Sequence, residues 1–322
     1  MLDCLELCCG KPEKCDSVCL KNPHFVDRVR EVGGFEFDNV PRSRRLAYPN
    51  LPPVVPLIYH NSGRREKFDK DFIALSLYQV VARISGKSRI NDRADLCDYF
   101  GIQHDAKILL TGTHKDAPLE RWWGFGDNRQ SILKELKALK VDIVTTPNFS
   151  LFTDRPRWDD MHSMKRIALV WQEFLNVGIP AALHVNARTD HDWSRWTSFI
   201  SDRDEVDHLC FEFGTGGGFP TRIQWHIDHL RRMGDTVKRP LTLIVRGGTD
   251  ALSELKRSFH QICVIDTSAF VKTIKRQQAT IEQSGALRWK SVPTEKGSPL
   301  DGMFRHNFSA MERHLGAAIQ GR

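Results

Sequence analysis

From about residue 54 onward, short apolar runs alternate along the chain with longer segments of helical period. Each run is rich in Val, Ile and Leu at successive positions, as expected of a parallel strand that is covered on both faces. The predicted strands are Val54–Tyr59, Lys107–Thr111, Asp142–Thr146, Ala181–Val185, His208–Phe213, Leu241–Val245 and Ile262–Ile265.

The segments between these runs predict helices. The pair Asp159-Asp160 is placed to cap one of them, and Gly178 is placed to end it. The predicted helices are Asp69–Ile84, Arg129–Lys140, Met161–Asn176, Asp192–Ser201, Thr221–Met233, Asp250–Phe259 and Ala269–Gln283.

Seven strand–helix repeats joined by short turns predict an α/β fold with a parallel sheet. A TIM-barrel-like (βα) repeat, completed by an eighth or irregular strand, is the favoured architecture, and a doubly wound open sheet is the alternative. The chain then divides into three parts. Residues 1–53 form a Cys-rich metal-binding segment and a connector, residues 54–286 form the barrel-like domain, and residues 287–322 form a C-terminal tail.

Both architectures place a functional site at the carboxyl ends of the strands. Polar residues and glycines follow the predicted strands at that end, which a purely structural barrel would not need. The predicted catalytic residues are Glu212, Asp266 and His114. The predicted contacts to substrate or phosphate are Asn148, Ser150, Arg188, Gly216, Gly217, Arg246, Gly247 and Gly248.

Each of these assignments has a structural alternative. Glu212, between two phenylalanines, could act as a general base or nucleophile, or it could form a buried ion pair with a neighbour such as Arg246. The glycine segments 214–218 and 247–248 could bind an anion through backbone N–H groups, or they could be tight turns. His184 lies inside its strand and fits a core histidine as well as a catalytic one.

Five of the eight cysteines lie within the first 19 residues, where a disulfide cluster is not expected in a cytoplasmic protein. Thiolates close together can hold zinc or an iron–sulfur cluster. We therefore predict one metal centre, either zinc or a [4Fe–4S] cluster, with unliganded reduced thiols as the alternative. Its predicted ligands are Cys4, Cys8, Cys15 and Cys19, with Cys9 as a substitute.

The formal net charge is +7 and the pI is about 9.0, which favours a polyanionic partner such as a nucleic acid or a nucleotide. Residues 1–30 lack the apolar core of a signal peptide, and no apolar run reaches the length of a membrane span. These features predict a cytoplasmic protein with no membrane partner.

The pairs Trp122-Trp123 and Trp193-x-x-Trp196, each beside arginines, suggest either base stacking or packing at the barrel rim.

One stretch resembles a protein family that occurs in phages, prophages and other mobile elements. The matching segments occur here in the order found in that family, and they are Leu119–Trp123, Pro147–Phe152, Pro156 and Gly178–Pro180. This is the domain-of-unknown-function family numbered four-four-one-seven, and the resemblance spans about residues 54 to 266. Asn148 stands where the family has Asp, and the Trp that the family carries near the position of Asn186 or Arg188 is absent. The resemblance implies the order of the elements and a mobile-element context, and no activity.

Two functions fit these observations. The first is an enzyme that acts on a nucleotide or nucleic acid, by hydrolysis or transfer at a glycosidic or phosphate centre. The second is a non-enzymatic module, in which the metal segment and five connector arginines bind nucleic acid and the barrel is a scaffold. Those arginines are Arg28, Arg30, Arg42, Arg44 and Arg45.

Overall fold

The computed structural model describes residues 25–85, 90–152, 155–214, 220–283 and 285–321. Its centre is a closed barrel of eight parallel strands, which confirms the predicted fold class. The strands are β1 (Val54–Ile58), β2 (Phe72–Ser76), β3 (Lys107–Thr111), β4 (Ile143–Thr145), β5 (Ala181–His184), β6 (His208–Glu212), β7 (Thr242–Arg246) and β8 (Gln261–Asp266). The pairing of Val54 with Val264 closes the barrel between β1 and β8.

Helices surround this barrel. They are α1 (Phe25–Val32), α2 (Leu77–Ser85), α3 (Arg93–Phe100), α4 (Asp116–Gly124), α5 (Arg129–Ala138), α6 (Arg157–Asn176), α7 (Asp190–Ser201), α8 (Pro220–Val237), α9 (Leu252–Leu255), α10 (Ser268–Ile274) and α11 (Asp301–Gln320). A two-stranded antiparallel hairpin, β9 (Gln277–Ile281) and β10 (Leu287–Ser291), lies between the last two helices.

Alternate residues of each strand face the barrel interior and the helices. Leu109 of β3 and Ile244 of β7 belong to the small interior cluster, whereas Ile108 and Leu110 belong to the larger cluster shared with the helices. The amino end of the barrel is filled by Tyr48 and Leu51. The Tyr48 ring stacks on His208 with the centroids 4.0 Å apart, and its hydroxyl donates to Ala181 O at 2.9 Å.

The predicted helix over Asp69–Ile84 is wrong in its first half. Residues Phe72–Ser76 form β2, all five of them buried, and a helix begins only at Leu77. A strand buried on both faces and a buried helical turn both read as a continuous apolar run, so hydrophobic spacing alone cannot separate them. This segment supplies the eighth strand that the sevenfold pattern lacked.

The predicted helix over Ala269–Gln283 is also too long. The helix α10 ends at Ile274, Arg276 adopts a left-handed φ of 54°, and the chain continues into β9. The predicted helix over Asp250–Phe259 is a 3₁₀ turn at Thr249–Ala251 followed by the single turn of α9.

The predicted connector and tail pack against the barrel. Phe25 and Phe35 form an apolar cluster with Trp158 of α6, and the Phe25–Trp158 ring centroids are 5.8 Å apart. Helix α11 buries Phe304 and Phe308 in the main core, against Phe68. In the described part of the chain, no helix combines the length and apolar character that a membrane crossing needs.

Candidate active site

A polar layer closes the carboxyl end of the barrel interior. Side chains on a strand alternate between its two faces, so the residue two positions after an interior residue also faces the interior. The residues of this layer each lie two positions beyond an interior apolar residue of their strand, toward its carboxyl end. They are Ser76, Thr111, Thr145, His184, Glu212 and Arg246, and all except the half-buried Arg246 are buried. A polar layer above an otherwise apolar interior is the arrangement expected of a site at the barrel mouth.

Glu212 is the carboxylate of this layer, and its side chain is only 1% exposed. The Glu212 Oε2 atom lies 2.9 Å from Arg246 Nε, and Oε1 accepts a hydrogen bond from Gly214 N at 2.6 Å. The Oε2 contact is an ion pair without the alignment of a hydrogen bond. Burial raises the pKa of Glu212, and Arg246, Gly214 N and the Thr113 hydroxyl each oppose that rise. Its environment therefore favours proton exchange at a higher pH than for an ordinary glutamate.

Three glycine positions beside Glu212 and Phe213 have structural causes. A Cβ on Gly214 would lie 2.5 Å from Glu212 Oε1, so only glycine allows this close approach. Gly248 has φ +70°, and a Cβ there would lie 2.5 Å from a Phe213 ring carbon. Gly247, with φ +77°, also packs against Phe213. Gly216 and Gly217, predicted to bind phosphate, lie outside the described residues.

His184 faces the barrel interior and is 1% exposed. Burial and the charge of Arg246 lower the pKa of His184 to about 3, so the imidazole is neutral at ordinary pH. Its Nδ1 atom has no hydrogen-bond partner among the described residues. His184 is therefore a neutral group that can still donate or accept one hydrogen bond in the site.

His114 lies at the rim, after β3, and is exposed. Its ring meets Tyr78 edge-on, with the centroids 5.2 Å apart. Partial burial, Arg246 and Lys115 lower the pKa of His114.

Asp266 stands apart from Glu212 although both end a strand. Cys263 and Ile265 face the interior, which turns Asp266 toward the helix layer. Its two carboxylate oxygens accept hydrogen bonds from Ser268 N at 2.8 Å and Ala269 N at 3.1 Å, at the start of α10. Burial raises the pKa of Asp266 to about 6, against the effect of these two bonds. The contacts are those of a helix cap, and the catalytic role stays a prediction.

A cavity of about 260 Å³ opens beside Glu212, on the β3–β6 side of the mouth. Five of the predicted site residues line it: His114, Asn148, Ser150, Arg188 and Glu212. The remaining lining residues are Leu151, Phe152, His184, Asn186 and Phe211. Arg246 and Asp266 are the last residues of β7 and β8, and Gly247 and Gly248 follow β7.

Two predicted phosphate contacts at this cavity are already engaged with protein groups. The Arg188 Nε atom donates to Leu151 O at 2.8 Å, and burial lowers the pKa of Arg188 against the charges of Asp160 and Asp192. The Ser150 hydroxyl donates to Asp116 Oδ1 at 2.5 Å. No described residue accepts from the terminal guanidinium nitrogens of Arg188, so they can bind a ligand, whereas Ser150 lies beside a carboxylate that repels an anion.

The sequence-based reasoning missed several members of the site. Ser76, Thr111 and Thr145 were not singled out, and neither Thr113 nor Asn186 was predicted as a site residue. The signal for the first three was their position two residues beyond an interior residue of the same strand. That signal could not be used before the interior face of each strand was known.

The five cysteines of the predicted metal centre lie outside the described residues. The cysteines that the structure describes, Cys97, Cys210 and Cys263, are buried, as expected of small core residues. In the described ranges, no three His, Cys, Asp or Glu side chains form a group that could hold a metal ion.

Trp122, Trp193 and Trp196 are buried, which favours packing over base stacking for these rings.

No protein-family model matches this chain, and no curated protein matches it. Among solved structures, the chain is similar to phosphoribosyl anthranilate isomerase from Thermococcus kodakaraensis. The sequence identity is 15%, the match covers 74% of this chain and 87% of that one, and the TM-score is 0.30. Similarity at this level says nothing about the substrate or the reaction of this chain.

Proposed function

We propose that the protein is an enzyme that acts on a nucleotide or a nucleic acid at the barrel mouth, with Glu212 as its general acid or base. The supporting observation is the position of Glu212, buried in the polar layer yet bordering the cavity beside Arg246. Buried ionisable groups with raised pKa values in a cleft are characteristic of acid–base sites.

The reaction class that fits these groups is hydrolysis or transfer at a glycosidic or phosphate centre. Glu212 would hold or release the proton, and neutral His184 would donate or accept a hydrogen bond to the reacting group. Arg246 supplies positive charge in contact with Glu212, and Arg188 supplies it at the cavity that Glu212 lines. A guanidinium group suits phosphate oxygens. The phage or mobile-element context, implied by the resemblance, is part of this proposal.

The second candidate is a metal-containing module that binds nucleic acid without turnover. The basic connector offers limited support for it. Arg28, Arg42 and Arg45 form ion pairs with Glu31, Glu205 and Asp207 respectively, so part of their charge is neutralised within the protein. The enzyme is therefore the favoured candidate.

The test compares wild type with Glu212→Gln on a panel of nucleosides and nucleotides, with detection of released base and inorganic phosphate. We expect wild-type turnover, and its loss in a folded Glu212→Gln variant. The matched control is Glu205→Gln, which alters a buried glutamate paired with Arg203 and Arg42 in the loop before β6. The control should lose stability and keep turnover per folded molecule.

Full turnover in Glu212→Gln would remove the catalytic role of this carboxylate. Failure of the wild type to bind any nucleotide or nucleic acid at low salt would remove the proposed substrate class. Salt-dependent binding of nucleic acid with no turnover would support the second candidate.

A further inference from the structure

Two asparagine side chains meet at the wall of the cavity beside Glu212. Asn148 follows β4 and Asn186 follows β5, and both are half-buried. The Asn186 Nδ2 atom donates to Asn148 Oδ1 at 2.9 Å and to Phe149 O at 3.3 Å. A backbone carbonyl can only accept, so the bond to Phe149 fixes which way the Asn186 amide points.

This arrangement also fixes Asn148. Because both N–H groups of Asn186 are engaged, Asn148 must present its oxygen to Asn186 and keep its own NH₂ group elsewhere. Among the described residues, no hydrogen bond engages the Asn148 Nδ2 or Asn186 Oδ1 atoms, and both residues line the cavity. The cavity wall therefore carries one amide donor, Asn148 Nδ2, and one amide acceptor, Asn186 Oδ1, on two side chains that contact each other.

An aromatic ring borders the same cavity. Phe152 is 41% exposed, which is unusual for a large apolar side chain in this protein. Its backbone N–H donates to Asp160 Oδ1 at 2.9 Å, and Arg188 Nε holds the preceding carbonyl of Leu151. The segment that carries the ring is thus held from α6 and from the β5 loop. An exposed aromatic face next to polar groups is a stacking surface for a planar ligand.

The charged residues and the size of the cavity indicate the kind of ligand that it can bind. Arg188 lines the same cavity, and no described acceptor binds its terminal guanidinium nitrogens. Glu212 lines this cavity as well. A cavity of about 260 Å³ is at the small end of ligand pockets and holds one small molecule rather than a polymer.

We propose that this cavity is a nucleobase subsite, in which Asn148 and Asn186 read the hydrogen-bonding edge of a base stacked near Phe152. The ligand class is a single nucleotide, because a base edge offers an adjacent acceptor and donor and its phosphate suits Arg188. The inference rests on the proposed function and makes it more specific. It reassigns Asn148 from a phosphate contact to a base contact.

The test measures calorimetric affinities of AMP, CMP and UMP relative to ribose 5-phosphate, which has the same phosphate and no base. We expect the best nucleotide to bind at least about tenfold more tightly than ribose 5-phosphate. The Asn148→Asp variant keeps the oxygen that Asn186 needs and replaces the NH₂ donor by an acceptor. It should reduce the nucleotide-to-ribose-phosphate affinity ratio about tenfold.

The ratio separates base recognition from charge. Repulsion of phosphate by the new carboxylate weakens nucleotide and ribose 5-phosphate alike and leaves their ratio unchanged. The matched control is Asn176→Asp, which adds the same charge at the exposed end of α6, where Asn176 accepts from Ser43. It should leave the ratio unchanged.

A second variant tests the same subsite in case Asn148→Asp does not fold. Phe152→Ala truncates an exposed ring and should also lower the ratio, whereas Ile281→Ala, at an exposed apolar residue of the hairpin, should not. The base subsite is overturned if wild type binds ribose 5-phosphate as tightly as nucleotides, or if both variants keep the wild-type ratio. With ribose 5-phosphate still bound and Glu212→Gln inactive, the proposed function would survive that result. If neither nucleotides nor ribose 5-phosphate bind, both proposals fail.

Discussion

Glu212 and Arg246 are register partners on the adjacent parallel strands β6 and β7, and Arg246 Nε lies 2.9 Å from Glu212 Oε2. Register partners on parallel strands point to the same face, so the contact follows directly from the pairing of β6 with β7. The positive charge opposes the effect of burial on the Glu212 pKa. Arg246 is thus a positioning residue for the carboxylate as well as a candidate phosphate contact.

The first prediction concerns this pair. The Arg246→Gln variant removes the charge that lowers the Glu212 pKa, so that pKa should rise further. Infrared titration of the protonated carboxylic acid, with Glu212→Gln as the blank, measures the shift without a substrate. The matched variant Arg42→Gln breaks the distant pair with Glu205 and should leave Glu212 unaffected. An unchanged Glu212 titration in Arg246→Gln would contradict the role assigned to Arg246.

The second prediction concerns the pH dependence of stability at Asp160. Burial and the nearby Asp192 raise the pKa of Asp160 to about 7, against the Phe152 N–H and the charges of Arg157 and Arg188. Because this folded-state pKa lies above that of the unfolded chain, the stabilising contribution is complete below about pH 4 and is lost as the pH rises through 7.

The Asp160→Asn variant mimics the protonated form at every pH. We expect the free energy of unfolding of wild type, relative to Asp160→Asn, to fall by roughly 4 kcal/mol between pH 4 and pH 8. Chemical unfolding of both proteins across this range measures the difference. Buried histidines such as His184 and His208 have lowered pKa values, which change the stability with pH in the opposite direction. Both proteins contain these histidines, so the difference between the two proteins removes their contribution. A constant difference across the range would show that Asp160 is ionised throughout.

The third prediction concerns Gly248. Its left-handed φ and its contact with Phe213 both oppose a side chain, so Gly248→Ala should cost about 1–3 kcal/mol. The matched control is Gly316→Ala inside α11, where a Cβ meets no atom within 4 Å. That change should stabilise the protein by about 0.5–1 kcal/mol, because alanine favours the helix. Urea unfolding of both variants checks the opposite signs.

The fourth prediction concerns the N-terminal cysteines. Purification under anaerobic conditions should yield about one zinc site or one iron–sulfur cluster per chain, since thiolates at this density form metal centres. Elemental analysis and an absorption spectrum distinguish the two. A variant with Cys4, Cys8, Cys15 and Cys19 all changed to Ser should lose the metal, whereas Cys97→Ser, in the buried core, should retain it. Neither metal in freshly prepared wild type would refute the prediction.

Much of the architecture was accessible from the sequence because it depends on local composition. Seven of the eight strands were predicted within one or two residues of their observed bounds, since each is a short apolar run between helical segments. The strand β2 was missed because it runs directly into α2 at Leu77, so its apolar run merges with the helical pattern that follows. Because parallel strands all end at the same face of a barrel, the strand-end residues could be assigned to that face from the sequence, whereas their roles stay predictions.

The sequence by itself determined which residues end the strands, and so it placed Glu212, Arg246 and Asp266 at the same end of the sheet. It could not determine which way each side chain faces, because strands covered on both sides are apolar at every position. Closure of the barrel decided that Glu212 faces the interior and that Asp266 caps α10. Likewise, the Asn148–Asn186 contact joins two loops 38 residues apart, and only the pairing of β4 with β5 brings them together.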